Sequence, residues 1–303
     1  TAPTTTASGS RLSAASLTGQ LARLRPRPSA ALATGLTLLG ALIVFALVAP
    51  VFGSPTRIYA NGISAKGLPL GIGASGHILG TDGIGRDMLA RLAAGGRTTL
   101  EFTFIANVTS IGLGVIVGVI AGFLRGVVEH VLMRITEIFL SVPTVISGLA
   151  LASVIGEGVL GIVVVITALY WAWTSRVVFG EVLALRKRPF VEAAVAQGVP
   201  SFTIMRRHIL PHLLSLLLVI WALNGAAVVA IGAGLSYLGA GIQPPTAEWG
   251  EMLSAGQNAL EYMPHEVLEP LVCIVLTVLA FVLIADGITR RGSVARRRSW
   301  LDI

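Results

Sequence analysis

The sequence predicts an all-α integral membrane protein with six transmembrane helices, and three observations predict it. The first is composition. Of 303 residues, 54% are hydrophobic and 12% charged, against about 25% charged in a soluble domain. This excludes a water-soluble enzyme, and also a disordered chain, which needs low hydrophobicity and high charge. The second is a series of apolar runs near the ~20 residues that a helix needs to cross a bilayer. The third is the segregation of lysine and arginine between alternate connecting segments.

Residues 1–29 are rich in Thr, Ser and Ala, carry four arginines and show no periodicity, so they are expected to form a flexible cytoplasmic tail. The first apolar run, Ala30–Phe52, exceeds the roughly 7–15 residues of a secretory signal core. It is expected to stay as a membrane anchor, ended by Pro50, Gly53 and Pro55. Residues 53–100 form a polar outer segment. Within it Met88, Leu89 and Leu92 alternate with Arg91 and Ala93, as in an amphipathic helix lying on the membrane. Further spans follow at Phe102–Leu124, about Glu137–Ile155, about Val159–Phe179, Leu213–Leu235 and about Leu268–Ile288. Only Gly156-Glu157-Gly158 separates the third from the fourth, a turn that joins two antiparallel helices.

Orientation follows the basic residues. With the N-terminus inside, cytoplasmic segments hold the four arginines before residue 30, Arg125 and Arg134, six basic residues from Arg176 to Arg207, and five from Arg290 on. The outer segments hold Arg57, Lys66, Arg86, Arg91 and Arg97. Six crossings with both termini cytoplasmic therefore place 17 of the 22 basic residues inside. The net charge of +7 then needs no nucleic-acid partner.

Residues 291–303 are expected to be a basic cytoplasmic tail. Gly114, Gly118 and Gly122 recur every fourth residue, on one helical face. Small residues at that spacing let helices approach closely in lipid, either within one subunit or at a seam between two. Asn107 and Asn224 lie within spans, where they either hydrogen-bond between helices or line a pathway. Glu137 and Asp286 sit near inner helix ends, as interfacial charges or as parts of an ion route. The single cysteine, Cys273, reads as a small hydrophobe.

No catalytic, cofactor or metal motif is present. Lys66 and Lys187 are the only lysines and neither follows a glycine, so the chain has no phosphate-binding P-loop. If ATP powers transport, another chain binds it. A membrane enzyme would need clustered acid, base or metal groups, and an ion-coupled carrier or channel would favour mid-membrane carboxylates; the spans offer neither.

The informative segment lies between the fourth and fifth spans. Pro189 suits the first position of a helix, Glu192 its first turn, and Gly198 its end. Ala193, Ala194 and Ala196 give this short helix a slim profile. It reads as an element that enters a groove on a partner, or as an interfacial helix on anionic lipid held by Arg186, Lys187 and Arg188.

Glu192, Ala193, Ala194 and Gly198, with Leu210 and Pro211 further on, resemble the "EAA" loop of ABC-importer permeases; Arg207 and His208 precede its end, His208 standing where many permeases have isoleucine. The Arg-His-Ile-Leu-Pro form is similar to the peptide-importer branch. His77–Leu89, with Gly96-Arg97 after it, resembles the outer segment of the C-type dipeptide/oligopeptide permease. So do Leu235–Pro245 and Trp249–Leu253. Val199-Pro200 departs from the usual small pair, and His212 stands where Asn is common. Pro200 is expected to shift the end of the short helix.

The resemblance implies the type I ABC-importer permease architecture. Residues 101–290 would be a five-helix core including a coupling loop, 181–211, whose helix sits in a cleft of the ATP-binding subunit. It implies a bacterial inner-membrane complex with a second homologous permease, ATP-binding subunits carrying ATP and magnesium, and an extracytoplasmic substrate-binding protein. The chain itself would catalyse nothing. The cargo would be di- or oligopeptides, with nickel chelates, glutathione or haem as alternatives within the family and a secondary transporter or channel outside it. In the outer motifs, Asp82, Arg86 and Asp87 are expected to form an ion-paired turn with Gly83 and Gly85 supplying tight backbone, Gln243-Pro244-Pro245 a rigid turn, and Trp249 an anchor at the outer interface. These residues are either structural or contacts for the delivering partner.

Overall fold

A computed structural model describes residues 30–299; the expected N-terminal tail, 1–29, lies outside them. Among the described residues ten helices carry the fold: α1 (Ala30–Leu47), α2 (Met88–Leu124), α3 (Val127–Ser141), α4 (Thr144–Ile155), α5 (Val159–Arg186), α6 (Pro189–Ala196), α7 (Ser201–Ile204), α8 (Leu210–Tyr237), α9 (Trp249–Gly256) and α10 (His265–Ser299). Short 3-10 turns, such as the one at Ala49–Phe52 that finishes the first apolar run, link some of them. Among the described residues β structure is limited to three isolated bridges in the outer segment.

Two expectations are corrected. Met88–Leu124 is one helix of 37 residues, about 55 Å long at 1.5 Å per residue, so no separate amphipathic helix lies on the membrane before the second span. Its first turns are buried, with Met88, Arg91, Leu92 and Ala93 hidden from solvent. The expected span at Glu137–Ile155 is two helices, α3 and α4, bent by 96°. Pro143 supplies the break. Its ring pushes the preceding residue out of helical geometry, and Val142 is extended at φ −97°, ψ 133°. Among the described residues, five helices or continuous helix pairs are long and apolar enough to cross a membrane, and the bent pair makes a sixth when counted as one span. The Gly156-Glu157-Gly158 turn is present, with both glycines at positive φ.

The core is arranged around two packings. α1 and α8 lie against α10, burying Leu39, Val229 and Phe281 in one cluster. The ends of α2, α5 and α8 that meet the α6–α7 loop bury Phe123, Val182 and Leu213 in another. Between them α2 lies along α5, and the glycine stripe faces α5 within the same chain. A Cβ at Gly114 would fall 2.7 Å from the Trp171 carbonyl oxygen, one at Gly118 2.7 Å from that of Ser175, and one at Gly122 2.8 Å from Val182 Cβ. Real side chains do not come that close, so the two backbones touch only because these residues lack one.

Gly118→Leu should therefore overpack this seam and destabilise the chain by at least about 1–3 kcal/mol. The measurement is thermal unfolding in detergent, with Gly112→Leu as control. Gly112 lies on the same helix but faces open space, so its variant should melt like the parent.

Candidate functional site

The loop between α5 and α8 is a short helix on a rigid mount. Arg188 is extended and Pro189 opens α6 at its first turn, where a missing N–H costs nothing. Gly198, at φ +76°, closes it. The Gly198 N–H reaches the Val195 carbonyl at 3.0 Å and the Val199 N–H that of Ala194 at 3.1 Å, satisfying the helix-end carbonyls as a left-handed glycine cap does. Pro200 does not shift this end; it stands before α7 as its first flanking residue. Val191 and Ala194 are buried against Ile204, Ile209 and Leu213. Full burial of a valine contributes about 1.5–3 kcal/mol, enough to seat so short a helix. Glu192, Ala193 and Gly198 remain exposed, as do Arg207, Leu210 and Pro211, while His208 is half-buried.

At Met205–Ile209 the chain widens into a π-turn, and the Leu210 N–H bonds to the Met205 carbonyl. Pro211 explains the widening. Proline has no N–H to offer and its ring crowds the carbonyl four residues back. A second contact ties α6 to α8: the Phe190 ring stacks on His212, centroids 4.9 Å apart. The His212 Nδ1–H in turn donates to the His208 carbonyl at 2.6 Å.

The outer motif residues converge on a second locus. Asp82 Oδ1 accepts from the Ile84 and Arg86 N–H groups at 3.1 and 2.9 Å, with Gly85 at φ +84° closing the turn. Its Oδ2 meets Arg86 Nε at 2.6 Å and Arg91 Nε at 3.3 Å. Arg91, 1% exposed, reaches across to Glu251 Oε2 at 2.9 Å. Asp87 caps α2 through the Ala90 N–H and holds His77 Nδ1 at 2.6 Å. Glu248 caps α9 and accepts from the Thr99 hydroxyl. Burial pushes the Glu248 carboxyl above the usual range, against the pull of its backbone N–H donors. Glu251 is raised for the same reason, and the Arg91 charge works against it.

Trp249 is not an interfacial anchor. It is fully buried, its indole N–H donates to the Leu92 carbonyl at 2.9 Å, and its ring lies over Gly95 and Gly96. Gln243 is half-buried and donates to the Gly239 carbonyl, and Pro244 is exposed; neither joins the ion-pair network. Arg91, Glu248 and Glu251 were not among the expected site residues. The available signal was a lone arginine among small and apolar residues, and a Glu-x-x-Glu at the start of a helix.

Asn107 and Asn224 meet each other. The Asn224 amide donates to Asn107 Oδ1 at 2.9 Å and Ser110 Oγ at 3.2 Å, while the Asn107 amide donates to the Trp221 carbonyl. Both asparagines are buried. Glu137 lies between Arg134 and Arg176 at an exposed site, and Asp286 pairs with Arg290.

Burial changes what the outer ion pairs are worth. An exposed pair contributes about 0–1 kcal/mol. Removing one partner of a buried pair costs about 3–5 kcal/mol, because the other charge is stranded. Arg91→Met should destabilise the protein on that larger scale, and adding Glu251→Met should recover part of the loss. Thermal unfolding of both singles and the double gives the coupling.

Comparison with known proteins identifies the chain. Residues 114–293 match the family model described as the binding-protein-dependent transport system inner membrane component. The oligopeptide transport system permease protein OppC of Haemophilus influenzae is 34% identical over 262 residues, spanning 86% of this chain and 83% of that protein. OppC of Bacillus subtilis is 32% identical, over 88% and 86%. The glutathione transport system permease protein GsiD of Pectobacterium atrosepticum is 33% identical, over 71% of each. Among solved structures, a chain of the inward-facing MetNI methionine ABC transporter superposes with a TM-score of 0.58 at 22% identity, covering 67% of this chain and 97% of that one. With more than half its length matched by the family model and relatives this similar along most of the sequence, the chain belongs to the family of inner membrane components of binding-protein-dependent transport systems.

Proposed function

We propose that the chain is one of two permease subunits of an ATP-driven bacterial importer of di- or oligopeptides, and that α6 couples it to an ATP-binding subunit. The observation that carries this reading is the exposed, small-sided face of α6 on a mount fixed by Val191, Ala194 and the Phe190–His212 stack. A rigid element of this kind passes on a push from a partner as displacement of α5 and α8 rather than as local bending. The oligopeptide permeases among the relatives support the cargo. The glutathione permease favours a second reading, a small γ-linked peptide. ATP and magnesium belong to the partner subunits, a second homologous permease completes the pathway, and a substrate-binding protein delivers cargo from outside.

On this reading the turn at Gln243-Pro244, exposed at Pro244, contacts the binding protein, while Asp82, Gly85, Arg86, Asp87 and Trp249 are structural supports. Asn107 and Asn224 tie α2 to α8 rather than line the pathway, since a lining residue must meet open space. Both termini and the α6 loop face the cytoplasm, as the basic residues favour.

Ala193 is exposed and helical, so Ala193→Leu should leave the fold intact and obstruct only a partner's groove. Transport and its linked stimulation of ATP hydrolysis should both fall at least tenfold in the reconstituted complex, with the binding protein still docking outside. Gly198 separates two effects, because Asn tolerates its left-handed backbone and Leu does not. Gly198→Asn should keep more activity than Gly198→Leu. Parental stimulation and uptake in Ala193→Leu, at equal subunit content, would remove α6 from the coupling route. For orientation, Ser54→Cys in a Cys273→Ala background should react with an impermeant thiol reagent on intact cells, and Ser201→Cys only after permeabilisation. The reverse pattern inverts the topology.

A further inference from the structure

At the α6 end of the bundle, α2 and α5 both stop beside a cavity of about 450 Å³. Arg125, Arg186 and Lys187 line it with one carboxylate, Glu192, and the apolar walls are Leu183 and Val195. The site thus holds three cations against one anion. Arg186 is fixed in place: its Nη1 donates to the Phe123 carbonyl at 2.6 Å and its guanidinium lies over the Phe123 ring. Arg125 has only a loose partner, Glu129 at 4.0 Å. Among the described residues Lys187 forms no ion pair.

Arg125 is also the one non-glycine residue at positive φ among the described residues, at 56°, followed by Gly126 at 67°. Such a conformation is sparsely populated, and outliers of this kind cluster at ligand sites. Here it turns the chain at the end of α2, at the mouth of a basic cavity.

Depth and direction select the ligand. α2 and α5 are both membrane-span candidates, so the cavity lies where the apolar layer ends. Leu124 and Val127, on either side of the Arg125-Gly126 corner, expose apolar surface. On α6, Glu192, Val195 and Ala196 line the cavity, Val191 and Ala194 are buried, and Ala193, with Gln197 just past the helix end, is exposed outside the lining. The cavity therefore leaves the Ala193–Gln197 face free for a protein partner. Basic pockets at membrane-helix ends bind anionic headgroups, each cation adding to the attraction.

We propose that this cavity seats the phosphodiester headgroup of an anionic phospholipid, held by Arg125, Arg186 and Lys187, with its acyl chains along Leu124 and Val127. Glu192 stands at the edge of the same site, so the headgroup neutralises the basic surplus beside α6. The inference is independent of the cargo and of whether α6 couples to ATP hydrolysis.

The test is native mass spectrometry of the full chain, purified with the subunits it assembles with, from mixed phosphatidylglycerol and phosphatidylcholine membranes. The parent should retain phosphatidylglycerol in preference to phosphatidylcholine. Lys187→Gln should lower that preference about fivefold, and Arg125→Gln with Lys187→Gln about 30-fold. Arg125→Lys with Lys187→Arg keeps the charge and should keep the lipid, which separates loss of charge from loss of folding. Excess inorganic phosphate should not displace the lipid. Equal lipid retention in the Gln variants would overturn the proposal. So would displacement by inorganic phosphate, which marks a soluble-anion site, or loss of a subunit in place of lipid from Lys187→Gln, which marks a protein contact.

Discussion

If Gly114, Gly118 and Gly122 carried side chains, α5 would have no place along α2. Among the described residues this is the most extensive contact between two helices, and much else is referred to it. α5 ends at Arg186, whose guanidinium grips the last turn of α2 through the Phe123 carbonyl. The seam therefore ends in a hydrogen bond that fixes where the α6 loop begins. In lipid, where apolar side chains gain nothing by leaving one another for the solvent, close backbone contact and its dispersion energy do the work that the hydrophobic effect does in water.

The two ends of the protein solve different problems. At the loop end, a helix of eight residues is too short to be stable alone, and its geometry is imposed by a proline, a left-handed glycine and two buried side chains. At the outer end the segment 53–87 has almost no regular structure, and its backbone groups are satisfied piecemeal by Asp82 and Thr81. Arg86 then closes the turn on Asp82, and the buried Arg91 cross-links Asp82 to Glu251. Such buried charges give little net stability compared with a well-packed apolar core, yet they admit only one arrangement of partners. The outer turn is held in register against α9 by complementarity rather than by area.

Much of this was legible. Five apolar runs predicted five spans at nearly their observed places, because length against bilayer thickness is a local property. α6 was legible from Pro189 and Gly198 for the same reason. What escaped depends on distant residues or on backbone restriction. The stretch from Met88 reads as an amphipathic helix lying on the membrane because Arg91 and Arg97 interrupt its apolar residues; it is instead the buried start of α2 because Glu251, 160 residues on, neutralises Arg91. Gly95 and Gly96 look like a helix-weakening pair until Trp249 fills the slot above them. The bend at Val142-Pro143 lies inside an unbroken apolar stretch, where hydropathy is silent and only the proline's steric restriction speaks. The Phe190–His212 stack follows from the fold of the loop and from no spacing rule.

One feature joins these ends. α2 is an uninterrupted rod of 37 residues, with Arg91 in the outer network near one tip and Phe123 under Arg186 near the other. A helix of about 55 Å that tilts by about 5° sweeps one tip about 5 Å past the other. Helical hydrogen bonding resists stretching and bending along that length, so the rod behaves as a lever whose fulcrum is the glycine seam. Gly118 lies about 9 Å from the Leu124 tip and about 45 Å from the Met88 tip, so a displacement of several ångströms at the Met88 end becomes one of about 1 Å beside the α6 loop, with no chain of intermediate side-chain rearrangements required.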